Sequence, residues 1–206
     1  MGLTAAMLLG HQGIGCLVLE SEESVPRDLR ASTFHPPTLD MLDKFGITPK
    51  LIAAGLVAPT WQVRWHTTGE FAEFDLSVLK AHTAHPYRLQ CEQWHLAEFL
   101  IEHIRTNLPN IQILQGYRVD ECRQDDEGVE VEVTGPGGKK QTFSGDYLIG
   151  SDGARSVVRS QLQLGFEGHT FPETTVLATT SFPFHEHVPN LSFINYCWKE
   201  SGTFSL

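Results

Sequence analysis

The sequence is poor in positive charge. Among its 206 residues, 15 Lys and Arg stand against 25 Asp and Glu, so the formal net charge is −10 with neutral histidines. The densest basic pair is Lys139-Lys140. A chain this acidic repels the phosphate backbone of nucleic acids, and no basic patch offsets that repulsion, so nucleic-acid binding is not expected.

Cysteines and long apolar runs are also scarce. The four cysteines, Cys16, Cys91, Cys122 and Cys197, form no C-x-x-C pair, which indicates reduced thiols and not a disulfide framework. No apolar stretch approaches the ~20 residues needed to cross a bilayer. The N-terminal segment lacks the positively charged start of a secretory signal peptide. Together these absences predict a cytoplasmic protein without a membrane association.

What is present is an alternation of helices and strands. Apolar residues at helical spacing predict helices over residues 3–11, 37–46 and 92–106. The apolar run 14–19 predicts a strand buried on both faces, as in parallel sheets. Alternation predicts a hairpin of residues 61–65 and 71–74. Further strands are predicted at 111–114, 129–133, 142–143 and 147–150.

A shift in composition near residue 170 predicts a domain boundary, with one domain over residues 1–170 and the start of a second over 171–206. From residue 175 onward the pattern is one of short β segments with prolines and no helix. Five aromatic residues there are open to two interpretations, as core of a sheet or as the lining of a substrate cavity. They are Phe182, Phe184, Phe193, Tyr196 and Trp198.

The first motif lies at the N-terminus. A dinucleotide-binding βαβ unit needs a strand, a Gly-rich turn, a helix, a second strand and then an acid about 20 residues after the turn. Gly2 represents the turn, and Glu20 follows the second strand at close to that interval. The Glu20 carboxylate would accept both hydroxyls of an adenosine ribose, although an exposed acid at a strand end explains it equally well. The first strand and the first two glycines of such a unit are not in the sequence, which predicts weakened pyrophosphate binding.

The second motif is Asp152-Gly153-x-x-Ser156-x-x-Arg159, directly after the predicted strand 147–150. Ligands of α/β folds lie at the carboxyl ends of such strands. An Asp-Gly pair alone is usually a turn, whereas the longer string is far more specific.

With these motifs, the chain resembles the single-component FAD-dependent aromatic hydroxylases, the family of p-hydroxybenzoate and phenol hydroxylases. Gly2 resembles the third glycine of that family's flavin fingerprint, and Glu20 its ribose-binding acid. Arg30 resembles an arginine near the flavin pyrophosphate, and Gln93 a glutamine that packs beside the cofactor. Asp152-Gly153, with the following Ser and Arg, resembles a motif that serves both FAD and NAD(P)H.

The resemblance implies an α/β fold: a partial Rossmann-like FAD-binding domain followed by the start of a β-sheet substrate domain. It implies that NAD(P)H reduces FAD and that a flavin hydroperoxide transfers an oxygen atom from O2 to a phenolic ring. The partners are then a small aromatic substrate and O2, and a homo-oligomer is compatible with the sequence. No catalytic residue follows from the sequence, because the flavin supplies the chemistry.

Two alternatives remain open. The chain could be another FAD-dependent oxidoreductase on the same scaffold, such as a halogenase or a reductase. It could also be a non-catalytic remnant or a half-protein, because the sequence also lacks the family's later Gly-Asp motif for the ribityl chain and so resembles a family member truncated at both ends. No metal site is expected, since His185-Glu186-His187 has no third ligand placed beside it.

Overall fold

The computed structural model describes residues 1–29 and 31–206, so the predicted site residue Arg30 lies outside the described residues. The chain divides into two compact units. The first contains residues 1–27 and 97–174, and the second contains residues 28–96 and 175–206. Both are discontinuous in sequence, and the predicted domain boundary near residue 170 stays a prediction.

The elements alternate along the chain. The helices are α1 (Gly2–His11), α2 (Pro36–Asp43), α3 (Ile47–Ala54), α4 (Gln93–Asn107), α5 (Val157–Gln161) and α6 (Phe184–His187). The strands are β1 (Cys16–Glu20), β2 (Thr33–Phe34), β3 (Leu56–Ala58), β4 (Thr60–Trp65), β5 (Phe71–Asp75), β6 (Arg88–Gln90), β7 (Ile111–Gln115), β8 (Arg118–Gln124), β9 (Val129–Thr134), β10 (Lys140–Gly145), β11 (Asn195–Lys199) and β12 (Gly202–Ser205). Short 3-10 helices cover Leu76–Leu79 and Pro136–Gly138.

The first unit is built on a parallel pair of strands. β1 and β7 run side by side with Cys16 opposite Ile111 and Glu20 opposite Gln115. Met7 on α1 is fully buried, as is Ile104 on α4. Because β1 and β7 are parallel, both end at the same edge of the sheet, which is where ligands of parallel sheets bind.

A second, antiparallel sheet completes this unit. Its order is β10-β9-β8, and Val131 and Val133 of the central strand are buried. The β8–β9 register shifts between Val119 and Glu121. The short helix α5 packs against β8, which places the loop before α5 beside this sheet.

The second unit contains two further sheets. One has the order β2-β6-β3 and the other the order β12-β11-β4-β5. In the larger sheet β11 pairs with β4 in parallel, and the other two pairings are antiparallel. Leu39, Ile47 and Leu51 of the helical pair α2–α3 are buried in this unit's core. The predicted α/β class is thus confirmed, with parallel and antiparallel sheets in one chain.

Several local predictions are confirmed, and others are wrong. The helix predicted at 92–106 is α4, and the strand predicted at 14–19 is β1, which is parallel but only half-buried. The helix predicted at 37–46 ends at Asp43, and α3, β8 and α5 were not predicted. The tail from residue 175 contains one helical turn, α6, where no helix was expected.

The predicted buried strand 147–150 does not form. The segment pairs with none of the described strands, and Tyr147 and Ile149 are 92% and 58% exposed. A strand is defined by hydrogen bonds to a neighbour, so an apolar run without a paired neighbour is not a strand.

Two global expectations can be compared with the structure. The four cysteines are all free thiols. Within the described residues, every helix is too short or too polar to traverse a bilayer.

Candidate cofactor-binding site

The start of α1 is shaped to receive an anion. Gly2 is its first residue, no side chain caps it, and its first turn carries no acid. The first N–H groups of a helix have no intrahelical partner and lie at the positive end of its dipole, where phosphates bind. The structure brings Gly2 to the second motif, since a Cβ added at Gly2 would lie 3.5 Å from the Cβ of Ser151.

The loop after Ser151 is organised by the Asp152 carboxylate. Its Oδ1 accepts a hydrogen bond from the Ser156 hydroxyl at 2.6 Å. Its Oδ2 accepts hydrogen bonds from the backbone N–H groups of Val157 at 2.6 Å and Val158 at 3.2 Å. Asp152 therefore satisfies donors in the first turn of α5, as capping side chains do.

The other residues of the motif complete this loop. The Ser156 hydroxyl accepts a hydrogen bond from the Arg159 N–H at 2.9 Å and caps α5. The Arg159 guanidinium donates back to the Ala154 carbonyl at 3.0 Å. Gly153 has φ +76°, a left-handed conformation that side chains other than glycine rarely adopt. The four predicted motif residues thus lie together and hold one backbone conformation.

The charge of Asp152 is stabilised by its hydrogen bonds. Partial burial alone would raise its pKa, but the Ser156 hydroxyl and the backbone N–H groups of Val158 and Val157 outweigh that effect and lower the pKa. Burial raises the pKa of the neighbouring Cys122 thiol on β8, and the negative charges of Asp152 and Glu121 add to that shift. The ionised Asp152 carboxylate is therefore turned toward α5 and anchors the loop that begins after Ser151, the residue beside Gly2.

Glu20 is exposed at the carboxyl end of β1. Its Oε1 accepts hydrogen bonds from the Ser21 hydroxyl at 3.1 Å and from the Glu22 N–H at 3.0 Å. Its Oε2 makes neither of these bonds. The carboxylate is thus held in place through one oxygen, and a carboxylate oxygen can accept hydroxyl donors.

The second unit contains the predicted Gln93 and a glutamine that sequence reasoning missed. Gln93 is exposed in the first turn of α4. Gln90, on β6, has its Oε1 held by the hydroxyls of Ser32 at 3.3 Å and Thr33 at 3.1 Å. Those residues lie two and three positions after Arg30 in sequence. The pairing of β2 with β6, which a single sequence does not reveal, brings Gln90 to that segment.

The larger sheet of the second unit carries an exposed aromatic face. Trp61 stacks on Phe74 with ring centroids 4.2 Å apart and meets the Tyr196 ring edge-on at 5.7 Å. The Arg88 guanidinium lies 4.5 Å above the Trp61 ring and donates to the Tyr196 hydroxyl at 3.1 Å. Tyr196 and Trp198 are 40% and 52% exposed. The interpretation of the tail aromatics as sheet core is therefore wrong for these two residues.

Their exposure follows from the register of the sheet. Residues of β4 alternate between faces, and the opposite face buries Gln62 and Arg64, which donate to the carbonyl of Asn190. Trp65 and Trp198 share the exposed face and stack with centroids 6.3 Å apart. This face presents flat apolar rings, as binding sites for aromatic molecules do.

In the first unit, an uncapped helix start beside an Asp-Gly loop, with an acid at the end of a parallel strand, is the arrangement of α/β proteins of the dinucleotide-binding class. A family model described as an FAD binding domain matches residues 1–204. The chain therefore belongs to the FAD binding domain family.

Curated relatives are monooxygenases. The chain is 37% identical over 188 residues to para-nitrophenol 4-monooxygenase of Pseudomonas sp. strain WBC-3, covering 91% of this chain and 46% of that protein. It is 36% identical over 185 residues to 6-hydroxy-3-succinoylpyridine 3-monooxygenase of Pseudomonas putida, covering 89% of this chain and 47% of that protein.

A solved structure shares the fold over nearly the whole chain. The crystal structure of p-nitrophenol 4-monooxygenase from Pseudomonas putida DLL-E4 matches with a TM-score of 0.82 at 31% identity, covering 98% of this chain and 53% of that one. The chain thus spans about half the length of these relatives. The resemblance to FAD-dependent aromatic hydroxylases is confirmed at the level of the family, as is its FAD-binding character.

Proposed function

We propose that this chain forms part of an FAD- and NAD(P)H-dependent monooxygenase that hydroxylates a small phenolic or other aromatic molecule. The observation that carries the proposal is the approach of Gly2, at the start of α1, to the loop formed by Ser151, Asp152 and Gly153. The names of the relatives support the reaction class, because those proteins are monooxygenases of nitrophenol and a hydroxypyridine.

The residues present fit FAD. The uncapped N-terminus of α1 would hold the pyrophosphate, and the Glu20 carboxylate would accept the ribose hydroxyls. The Asp152–Gly153 loop would approach the same cofactor, with its backbone conformation fixed by the cap on α5. The role of Gln93 beside the cofactor rests on the resemblance to the family alone.

The overall reaction balances with one reductant and one oxidant. NAD(P)H, a proton, O2 and an aromatic C–H give NAD(P)⁺, water and a phenolic C–OH. The redox chemistry, from the hydride of NAD(P)H to the activation of O2, belongs to the bound flavin. This chain's residues bind and orient, and the stacked rings of Trp61 and Phe74 with the Arg88 cation are a candidate surface for an electron-rich or anionic ring.

The proposal is tested by titrating the purified 206-residue chain with FAD and following the quenching of flavin fluorescence. Saturable binding is expected, and Glu20→Ala should weaken it. Glu22→Ala is the matched control, because the Glu22 contact to Glu20 is made by its backbone N–H, which the substitution keeps. A folded chain that fails to bind FAD, or that loses equal affinity in both variants, would contradict the assignment.

A second measurement addresses NAD(P)H. In a form that binds FAD, Asp152→Ala should slow flavin reduction by NAD(P)H more than it weakens FAD binding, whereas Glu20→Ala should do the reverse. Stopped-flow absorbance of the flavin reports the first quantity and fluorescence titration the second. Equal, negligible effects of both variants would remove the basis for these roles.

A further inference from the structure

A pair of histidines joins two helices of the first unit, away from the start of α1. The Nε2 atoms of His11, the last residue of α1, and His103 on α4 lie 3.0 Å apart. At ~1.5 Å per residue, His11 lies ~14 Å along the helix from Gly2. We propose that these two imidazoles form a binding site for a borderline divalent transition metal such as Zn²⁺ or Cu²⁺.

The distance between the nitrogens suits such an ion. Imidazole nitrogens bind Zn²⁺ at ~2.0–2.1 Å, so two adjacent ligands lie about 3 Å apart at a right angle and about 3.4 Å apart in a tetrahedron. The rings are nearly head to head, with centroids 5.2 Å apart and planes at 44°. The two Nε2 atoms share a hydrogen bond in the absence of an ion, so metal binding requires the donor ring to carry its proton on Nδ1 instead. His11 is exposed and His103 half-buried, so rotation of the exposed ring directs both Nε2 lone pairs toward one ion. Imidazole favours Zn, Cu and Ni over Mg or Ca.

Contacts on both sides of the pair fix the spacing of the two backbone segments that carry it. Gly10 lies against the segment after α4, where an added Cβ would be 2.8 Å from Ile111 Cγ1 and 3.0 Å from Leu108 Cδ1. The Asn110 amide donates to the carbonyls of Gly10 at 3.1 Å and Ile14 at 3.0 Å. These contacts hold the end of α1 at a set distance from α4, which lowers the entropic cost of bringing both ligands to one ion.

The outer side of His103 is also supported. The Asn107 amide lies 3.5 Å from His103 Nδ1 and donates to the His103 carbonyl at 3.0 Å. Because the Asn107 amide donates to the His103 carbonyl, it fixes the last turn of α4 beside the His103 ring.

The helix dipoles favour this pair over the other candidate group. His11 lies at the C-terminus of α1, the negative end of a helix, where cations are stabilised. Ligand atoms of Cys91, Glu92 and His95 lie within 4.8 Å of one another at the N-terminus of α4, where the dipole opposes a cation. Burial, with the nearby Glu92 charge, also raises the pKa of the Cys91 thiol to about 11, which opposes the thiolate that a metal requires.

The test is calorimetric titration of the full chain, without added FAD, with ZnCl₂ in a buffer free of chelators. One ion per chain is expected to bind, and both His11→Asn and His103→Asn should weaken that affinity about 10²-fold, because each removes the second, intramolecular contact. The matched control is His185→Asn, an exposed histidine of α6, which should leave the affinity unchanged. Electron paramagnetic resonance of bound Cu²⁺ should report two equatorial nitrogens in the parent and one in each single variant.

Three results would overturn the proposal. The first is unchanged Zn²⁺ affinity in His11→Asn, and the second is loss of binding in Cys91→Ser, which would place the ion at α4's N-terminus. The third is no saturable binding by a parent chain that unfolds cooperatively. Since the titration contains no FAD, its outcome is independent of the proposed monooxygenase function.

Discussion

Replacing Asp152 with asparagine tests whether its carboxylate builds the loop that faces α1. Asparagine keeps the size of the side chain and one oxygen, which can still accept the Ser156 hydroxyl. It replaces Oδ2 with an NH₂ group, which cannot accept from the N–H groups of Val157 at 2.6 Å and Val158 at 3.2 Å. The substitution therefore removes two hydrogen bonds at the first turn of α5 and changes no other side chain.

The magnitude follows from the kind of bond lost. Hydrogen bonds to charged groups contribute about 1.5–3 kcal/mol each, and loss of a helix cap costs about 0.5–2 kcal/mol. Asp152 is exposed and α5 is short, so water replaces part of what is lost. We expect Asp152→Asn to lower the free energy of unfolding by about 1–2 kcal/mol at pH 7, measured by urea unfolding with circular dichroism.

The direction of the Asp152 pKa shift predicts how the stability difference between the parent and Asp152→Asn changes with pH. The pKa of Asp152 is lowered in the folded chain, so its stabilisation is complete above the unfolded pKa of about 3.9 and is lost as pH falls through the folded value. The difference between the parent and Asp152→Asn should therefore shrink as the pH falls below about 4. Asp146→Asn, on the exposed segment just before, is the matched control. A difference under about 0.5 kcal/mol at pH 7, or one that persists unchanged at the lowest accessible pH, would refute the capping role.

Three further predictions concern stability and are measured by the same urea unfolding. Gly10→Ala should destabilise the chain by about 1–2 kcal/mol, because a Cβ 2.8 Å from Ile111 Cγ1 forces a shift that exceeds the helix propensity gained; a net stabilisation would contradict this packing. Thr48→Val should cost about 1–2 kcal/mol, because the fully buried hydroxyl donates to the Leu39 carbonyl at 2.6 Å; an unchanged midpoint would show that the carbonyl finds another donor. Tyr147→Ser should change the free energy of unfolding by less than about 0.5 kcal/mol, because Tyr147 is 92% exposed; a larger loss would place its ring in a packed contact.

The local pattern of apolar residues was sufficient to predict an element where that element depends mainly on its own residues. The apolar stripe of α4 and the compact run of β1 were predicted within a few residues of their bounds. The segment 147–150 has the same apolar character as β1, yet it forms no strand. The difference is that β1 has β7 as a neighbour, and pairing between distant segments is not encoded in the periodicity of either one.

The candidate site divides in the same way. The Asp152 motif was found from sequence because its residues contact one another over a few positions. Gln90 was missed because its relation to Ser32 and Thr33 arises from the pairing of β2 with β6. The exposure of Tyr196 was missed because it depends on which face of β11 the opposite residues bury. The features that the sequence did not predict thus depend on contacts between strands that are distant in sequence.

The specificity of the Asp-Gly-x-x-Ser-x-x-Arg string has a structural reason that is separate from any ligand. Asp152 accepts from the first turn of α5, Gly153 takes the left-handed turn, Ser156 caps the helix, and Arg159 returns to the Ala154 carbonyl. Each position therefore satisfies a different backbone requirement of one loop. Because both Asp152 oxygens accept hydrogen bonds from the chain's own donors, the role that we propose for Asp152 toward a cofactor acts through the loop that it fixes. A variant that lacks Asp152 but caps α5 with another side chain should then recover cofactor binding. If the Asp152 carboxylate were a direct ligand of the cofactor, that variant would not recover binding.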